Sequence, residues 1–121
     1  MTDLLRELEQ GYEAKFKLDQ EQHFKAECRR NKLLGLWAAE RMGLSPAETD
    51  AYARSMVALA LDRAGLESIL TRISDDLGRH GTPIERIELL AKAEQCYVAA
   101  IDSLAKEYPR ALGDDHVPIG G

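Results

Sequence analysis

The chain has 121 residues, 45% hydrophobic and 31% charged, with a net charge of −5 and a mean hydropathy of −0.35. That is the balance of one soluble globular domain, too apolar for wholesale disorder and without the run of ~20 apolar residues that a membrane span needs. Two cysteines and three histidines leave little for a disulfide framework or a metal cage, and the acidic balance argues against unassisted nucleic-acid binding.

The first ten residues mix acids with leucines and show no basic stretch ahead of an apolar one, which argues against a secretory signal. Leu5, Leu8, Tyr12 and Phe16 follow at spacings of three, four and four, so they share one face of a helix, and Asp19, Gln20 and His23 then interrupt that face. A segment this short is a marginal helix in isolation. Residues 1–18 therefore read as a mobile arm, with two options open: it folds back on the rest of the chain, or its stripe enters an apolar groove on another protein.

A longer helix follows. From Lys17 to Lys32 it is mostly charged, with Phe24 and Cys28 as its main apolar contributions; from Leu33 to Leu44 it is apolar on several faces and contains Trp37, expected in the core. Gly35, which costs a helix ~1 kcal/mol against alanine, suggests close approach of a second helix. Gly43 and Gly65 stand where left-handed helix stops are expected. Ser45-Pro46-Ala47-Glu48 has the form of a capping box with proline at the first helical position, and Thr82-Pro83-Ile84-Glu85 repeats it.

The segment 46–64 is alanine-rich, with Ala51, Met56, Val57, Leu59, Ala60 and Ala64 available for packing; 66–78 carries a narrow stripe of Leu66, Ile69, Leu70, Ile73 and Leu77. The spacing predicts one amphipathic helix over roughly 83–107, whose expected inner row runs Ile84, Ile87, Leu90, Ala91, Tyr97, Val98, Ile101, Leu104, Ala105 and Tyr108, broken by Glu94. No segment alternates as a strand does. The expected fold is all-α: a four-helix bundle over 19–108, a protruding and partly disordered arm, and a disordered tail over 109–121, where periodicity ends.

No catalytic residue is nominated. Asp75-Asp76 and Asp114-Asp115 are adjacent, so on a helix they point ~100° apart instead of converging on one substrate; a solvated face and a solvated tail explain them. His23 and Cys28 are five apart, the wrong step for two ligands on one face, and Cys96 beside Tyr97 suits packing. His80 and His116 are expected to be exposed. Gly78-Arg79-His80-Gly81 lacks the lysine-serine pair of a phosphate loop. No metal and no cofactor are implied. The basic run Lys25, Arg29, Arg30 and Lys32, diluted by acids, is either a solvated face or a dock for an acidic partner surface.

The residues from Tyr12 to Phe16, the string from Phe24 to Glu40 with RRNKLLGLWAA at its heart, and Met42-Gly43-Leu44 closely resemble the bacterial ATPase-inhibitor zeta-subunit family. Ala51-Tyr52-Ala53 and Ala64-Gly65 are similar to it too. The resemblance implies a four-helix bundle with an N-terminal arm, no enzyme activity, and a regulatory inhibitor of the F-type ATP synthase, bound to its catalytic head in the cytoplasm at the periphery of the inner membrane. In that picture the arm wedges between the rotor stalk and the surrounding stator subunits and blocks rotation in the hydrolysing direction. Leu5, Leu8, Tyr12, Lys15 and Phe16 of the arm, with Lys25, Arg29 and Arg30 of the bundle, are the expected partner contacts. Nucleic acid is not expected as a partner, nor insertion into the membrane. Leu4, Leu5 and Leu8 make this arm more apolar than the family's polar pattern, and Gly11 stands where a helix former is usual; the extra leucines suit a groove on the partner or on the chain's own bundle. A helical ligand-binding or adaptor module is the other class in view, and a hydrolase using Asp75 or Asp76 ranks far below both.

Overall fold

The computed structural model describes residues 18–107; the expectations for Leu5, Leu8, Tyr12, Lys15 and Phe16, and for the tail from 109, lie outside the described residues. Four helices make up the bundle: α1 (Gln20–Met42), α2 (Pro46–Leu61), α3 (Leu66–Arg79) and α4 (Arg86–Glu107), with no strand among the described residues. The long α1 is the central element and packs chiefly against α2 and α4.

Local chemistry sets the helix ends. Asp19 caps α1: its Oδ1 accepts from the Gln22 amide at 2.8 Å while Gln22 Oε1 accepts from the Asp19 amide at 3.1 Å. Gly43, at φ 76°, turns the chain out of α1, and the Leu44 amide reaches back to the Ala39 carbonyl. The capping box at Ser45 forms as expected, with Glu48 Oε1 accepting from the Ser45 amide at 2.9 Å and the Glu48 amide donating to Ser45 Oγ at 3.2 Å. Those bonds hold the Glu48 carboxyl below its ordinary range.

Two expected punctuation marks are placed differently. The left-handed residue after α2 is Arg63 (φ 62°), whereas Gly65 is extended (φ −70°) and opens α3, its carbonyl accepting from Ile69. A side chain in this conformation costs ~1–2 kcal/mol; the Arg63 guanidinium lies 4.8 Å from the Phe24 ring centroid, a cation–π contact that holds the turn against α1. The second capping box does not form. Thr82 instead closes α3, its amide donating to the Leu77 carbonyl at 2.9 Å, and Arg41 of α1 donates to the carbonyls of Thr82 (3.1 Å) and Pro83 (3.0 Å). With those carbonyls engaged, the helix is delayed to Arg86.

The core corrects the expected faces. In α1 the buried row is Gln22, Ala26, Arg30, Leu34 and Ala38, with Asn31, Gly35 and Ala39 beside it; Phe24 and Cys28 are half-buried. In α2, Ala53, Met56 and Ala60 are buried and Ala51 is exposed. In α4, Leu89, Ala93, Cys96 and Ala100 turn inward beside Leu90, Tyr97, Ile101 and Leu104, leaving Ile87 61% and Val98 39% exposed. The inner face thus mixes Ala93, Cys96 and Ala100 with larger side chains and is turned from the expected row, so that Ala91, expected inside, is exposed as well. The stripe of α3 is as expected, with Ile69, Leu70, Ile73 and Leu77 fully buried. Trp37 is half-buried at the rim, flanked by Arg41 and Lys92, which lie 6.0 and 5.7 Å from its ring centroid.

Asp75 is exposed, but Asp76, expected on a solvated face, is only 5% exposed. Its carboxylate accepts from Tyr52 Oη at 2.7 Å and from Arg72 Nε at 3.3 Å, and pairs with Arg79, tying α2 to α3. Burial first, and then the Asp76 bond and charge, push the Tyr52 hydroxyl above its ordinary 10.0. A folded pKa above the unfolded one means stability that is full below pH 10 and lost as pH rises through the alkaline range. In urea unfolding between about pH 8 and about pH 11, Tyr52→Phe is therefore expected to flatten the alkaline loss, at a cost of about 1 kcal/mol at neutral pH. An unchanged alkaline slope would overturn this assignment.

Candidate partner-binding surface

The seam between α1 and α4 gathers the functional candidates that the described residues contain. On its inner side Tyr97 is fully buried, its Oη 3.1 Å from His23 Nδ1, and His23 Nε2 lies 3.2 Å from Glu27 Oε2. The hydrogen bond from His23, foremost, holds the Glu27 carboxyl below its ordinary 4.5. A Glu-His-Tyr relay can move a proton, but a Tyr97 with no exposed surface offers that proton to no substrate; the three side chains lock helix to helix.

Arg30 belongs to the same interior. It is 3% exposed, its guanidinium carbon lies 5.9 Å from the Tyr97 ring centroid, and its Nε donates to Asn31 Oδ1 at 3.1 Å. Asn31, itself fully buried, donates from Nδ2 to the Met56 carbonyl at 2.9 Å and so ties α1 to α2. Gly35, one turn on, carries no side chain because none fits: a Cβ there would stand 2.9 Å from Met56 Cγ and 3.0 Å from Ala53 Cα. The Asn31–Gly35 pair thus sets where the two helices meet. The four-residue step from Asn31 to Gly35 was visible in the sequence, but nothing in it said that an asparagine would take the core side.

Of the basic run, Arg30 is turned inward while Lys25, Arg29 and Lys32 stay on the outer side of α1. Lys25 pairs with Glu21 at 3.4 Å. Arg29 crosses to α4, donating to Ser103 Oγ and, at 2.6 Å, to Glu107 Oε1, which draws the Glu107 carboxyl below its ordinary range. Arg29 is thus a strut between helices as well as a surface cation, a role its sequence neighbours do not signal.

Outside these ties the seam opens as a shallow groove of ≈ 840 Å³, floored by Leu33, Leu36, Ala99 and Ala100 and bordered by Arg29, Lys32, Asp102 and Lys106. Neither cysteine is set up as a nucleophile: burial raises the thiol pKa of both Cys28 and Cys96. Among the described residues no cluster of histidine, cysteine or carboxylate could hold a metal ion, and no helix is long and apolar enough to cross a membrane.

Compared with known families, the chain matches the one described as ATPase inhibitor subunit zeta over residues 1–103. No curated protein and no solved structure matches it.

Proposed function

The chain belongs to the ATPase inhibitor subunit zeta family, and from that premise we propose that it inhibits ATP hydrolysis by the catalytic head of the F-type ATP synthase, with residues 1–18 as the inhibitory arm and the bundle as the docking body. The observation that carries this reading is the extent of the family match, which takes in the arm's residues as well as the helices behind them. The arm runs directly into the capped start of α1, so a rigid bundle fixes one end of a short apolar stripe. Leu5, Leu8, Tyr12 and Phe16 enter an apolar cleft between the rotor stalk and the surrounding stator subunits, with Lys15 at its edge. Lys25 and Arg29, on the outer side of α1, face acidic surface of the head. Ordering the arm costs part of the gross binding energy, and burial of the stripe supplies it. Blocking rotation is steric, so no chemistry by this protein is required. The protein would act in the cytoplasm, at the inner membrane's periphery, through the synthase.

The test is ATP hydrolysis by the cognate catalytic head, titrated with the full chain and with a version lacking residues 1–18. Inhibition by the full chain alone is the expected result. Equal inhibition by both forms would move the activity to the bundle, and inhibition by neither would overturn the proposal.

A further inference from the structure

We propose that the groove between α1 and α4 is a resting site for the chain's own arm, so that the leucine end of its stripe, Leu5 and Leu8, is held on the bundle when it is not on a partner. The groove has an apolar floor, with Leu33 and Leu36 half-buried and Ala99 exposed. The described chain begins beside it: Leu18 packs on the cluster of Ala26, Tyr97, Ala100, Ile101 and Leu104, and Ala100 is also part of the groove floor.

Length and register fit. Between Phe16, the last residue of the stripe, and Gln20, the first of α1, lie only Lys17, Leu18 and Asp19, and two antiparallel helices are ordinarily joined by ~2–5 residues. Folded back about Leu18, a helical arm brings Leu8 to the level of Arg29 and Leu4 and Leu5 to that of Lys32 and Leu33. In that register Leu5 and Leu8 reach the part of α1 that lines the groove, Arg29 to Leu36, while Tyr12 and Phe16 come level with Lys25 and Glu21, nearer the turn. On a helix Glu9 and Glu13 border one edge of the stripe and Lys15 the other; the groove offers Lys32 on its α1 side, while on its α4 side Lys106 pairs with Asp102 at 3.2 Å and Glu107 with Arg29. The three leucines that make this arm unusually apolar are the ones the fold-back brings onto α1.

The contact stands independently of the inhibitory role; its regulatory meaning rests on that role. An arm docked nine-tenths of the time would reach a partner with an apparent affinity ~10-fold weaker than a free one. The probe is the full chain by NMR and hydrogen exchange, compared with Ala99→Glu, which puts a charged helix former on the exposed floor, and with Leu8→Asp, which acts from the arm's side. Expected in the native chain are intramolecular contacts between the methyls of Leu5 or Leu8 and those of Leu33, Leu36 or Ala99. Either variant should remove them and speed exchange of the arm amides ~10-fold. Ala99→Glu should also inhibit ATP hydrolysis at ~10-fold lower concentration. Absence of those contacts together with unchanged exchange overturns the proposal, and contacts seen only between differently labelled chains overturn it in favour of a second copy. Loss of inhibition in all forms with the methyl contacts present would instead defeat the inhibitory reading and leave the groove contact standing.

Discussion

Gly35→Val is expected to destabilise the bundle by about 3 kcal/mol, roughly 15 °C in Tm for a domain of this size. The first added carbon already meets Met56 Cγ at 2.9 Å and the Ala53 backbone at 3.0 Å, and the second of these cannot turn aside as a side chain can. The helices must separate, and separation stretches the bond from Asn31 to the Met56 carbonyl in a site where both groups are cut off from water. Valine recovers part of the helix propensity that glycine lacks, so the measured loss is the clash less that gain. Gly78 supplies the control. It lies within α3 with nothing within 4 Å of the added carbon, so Gly78→Ala should stabilise by ~0.5–1 kcal/mol. Thermal or urea unfolding of the two variants decides the matter: equal signs would mean that Gly35 is not a contact glycine.

The second large effect concerns inhibition. Leu8→Asp with Tyr12→Ala is expected to weaken inhibition of the catalytic head at least ~100-fold, because each buried apolar side chain is worth ~1.5–3 kcal/mol and the new carboxylate would have to be desolvated. Both positions lie outside the described core, so the helical circular dichroism of the bundle should persist. Full inhibition by this double variant would sink the arm mechanism, whatever the family. Lys15→Ala, at the edge of the same stripe, should have a smaller effect that fades with added salt.

The sequence by itself determined the class of the fold and the family. Four helical segments, the capping box at Ser45, the turn at Gly43, the stripe of α3 and the close approach at Gly35 all follow from local rules, because caps, left-handed glycines and narrow apolar stripes act within a few residues. The string around RRNKLLGLWAA carried the family in the same way, through the order of residues alone.

What the tertiary structure decided is which side of an ambiguous helix faces inward and which polar groups go with it. Along α4 two apolar rows compete at helical spacing, and packing against α1 selects the one with Ala93, Cys96 and Ala100, which leaves Ile87 and Val98 outside. Asn31, Arg30 and Asp76 are polar by composition, yet each is buried because a partner from another helix stands ready: the Met56 carbonyl, the Tyr97 ring and the Tyr52 hydroxyl. Thr82-Pro83 has the letters of a helix start, but Arg41, some forty residues away, claims its carbonyls. Local sequence fixes what a segment can form, whereas burial of a polar side chain depends on a bond whose other half lies far along the chain and is settled only when the helices meet.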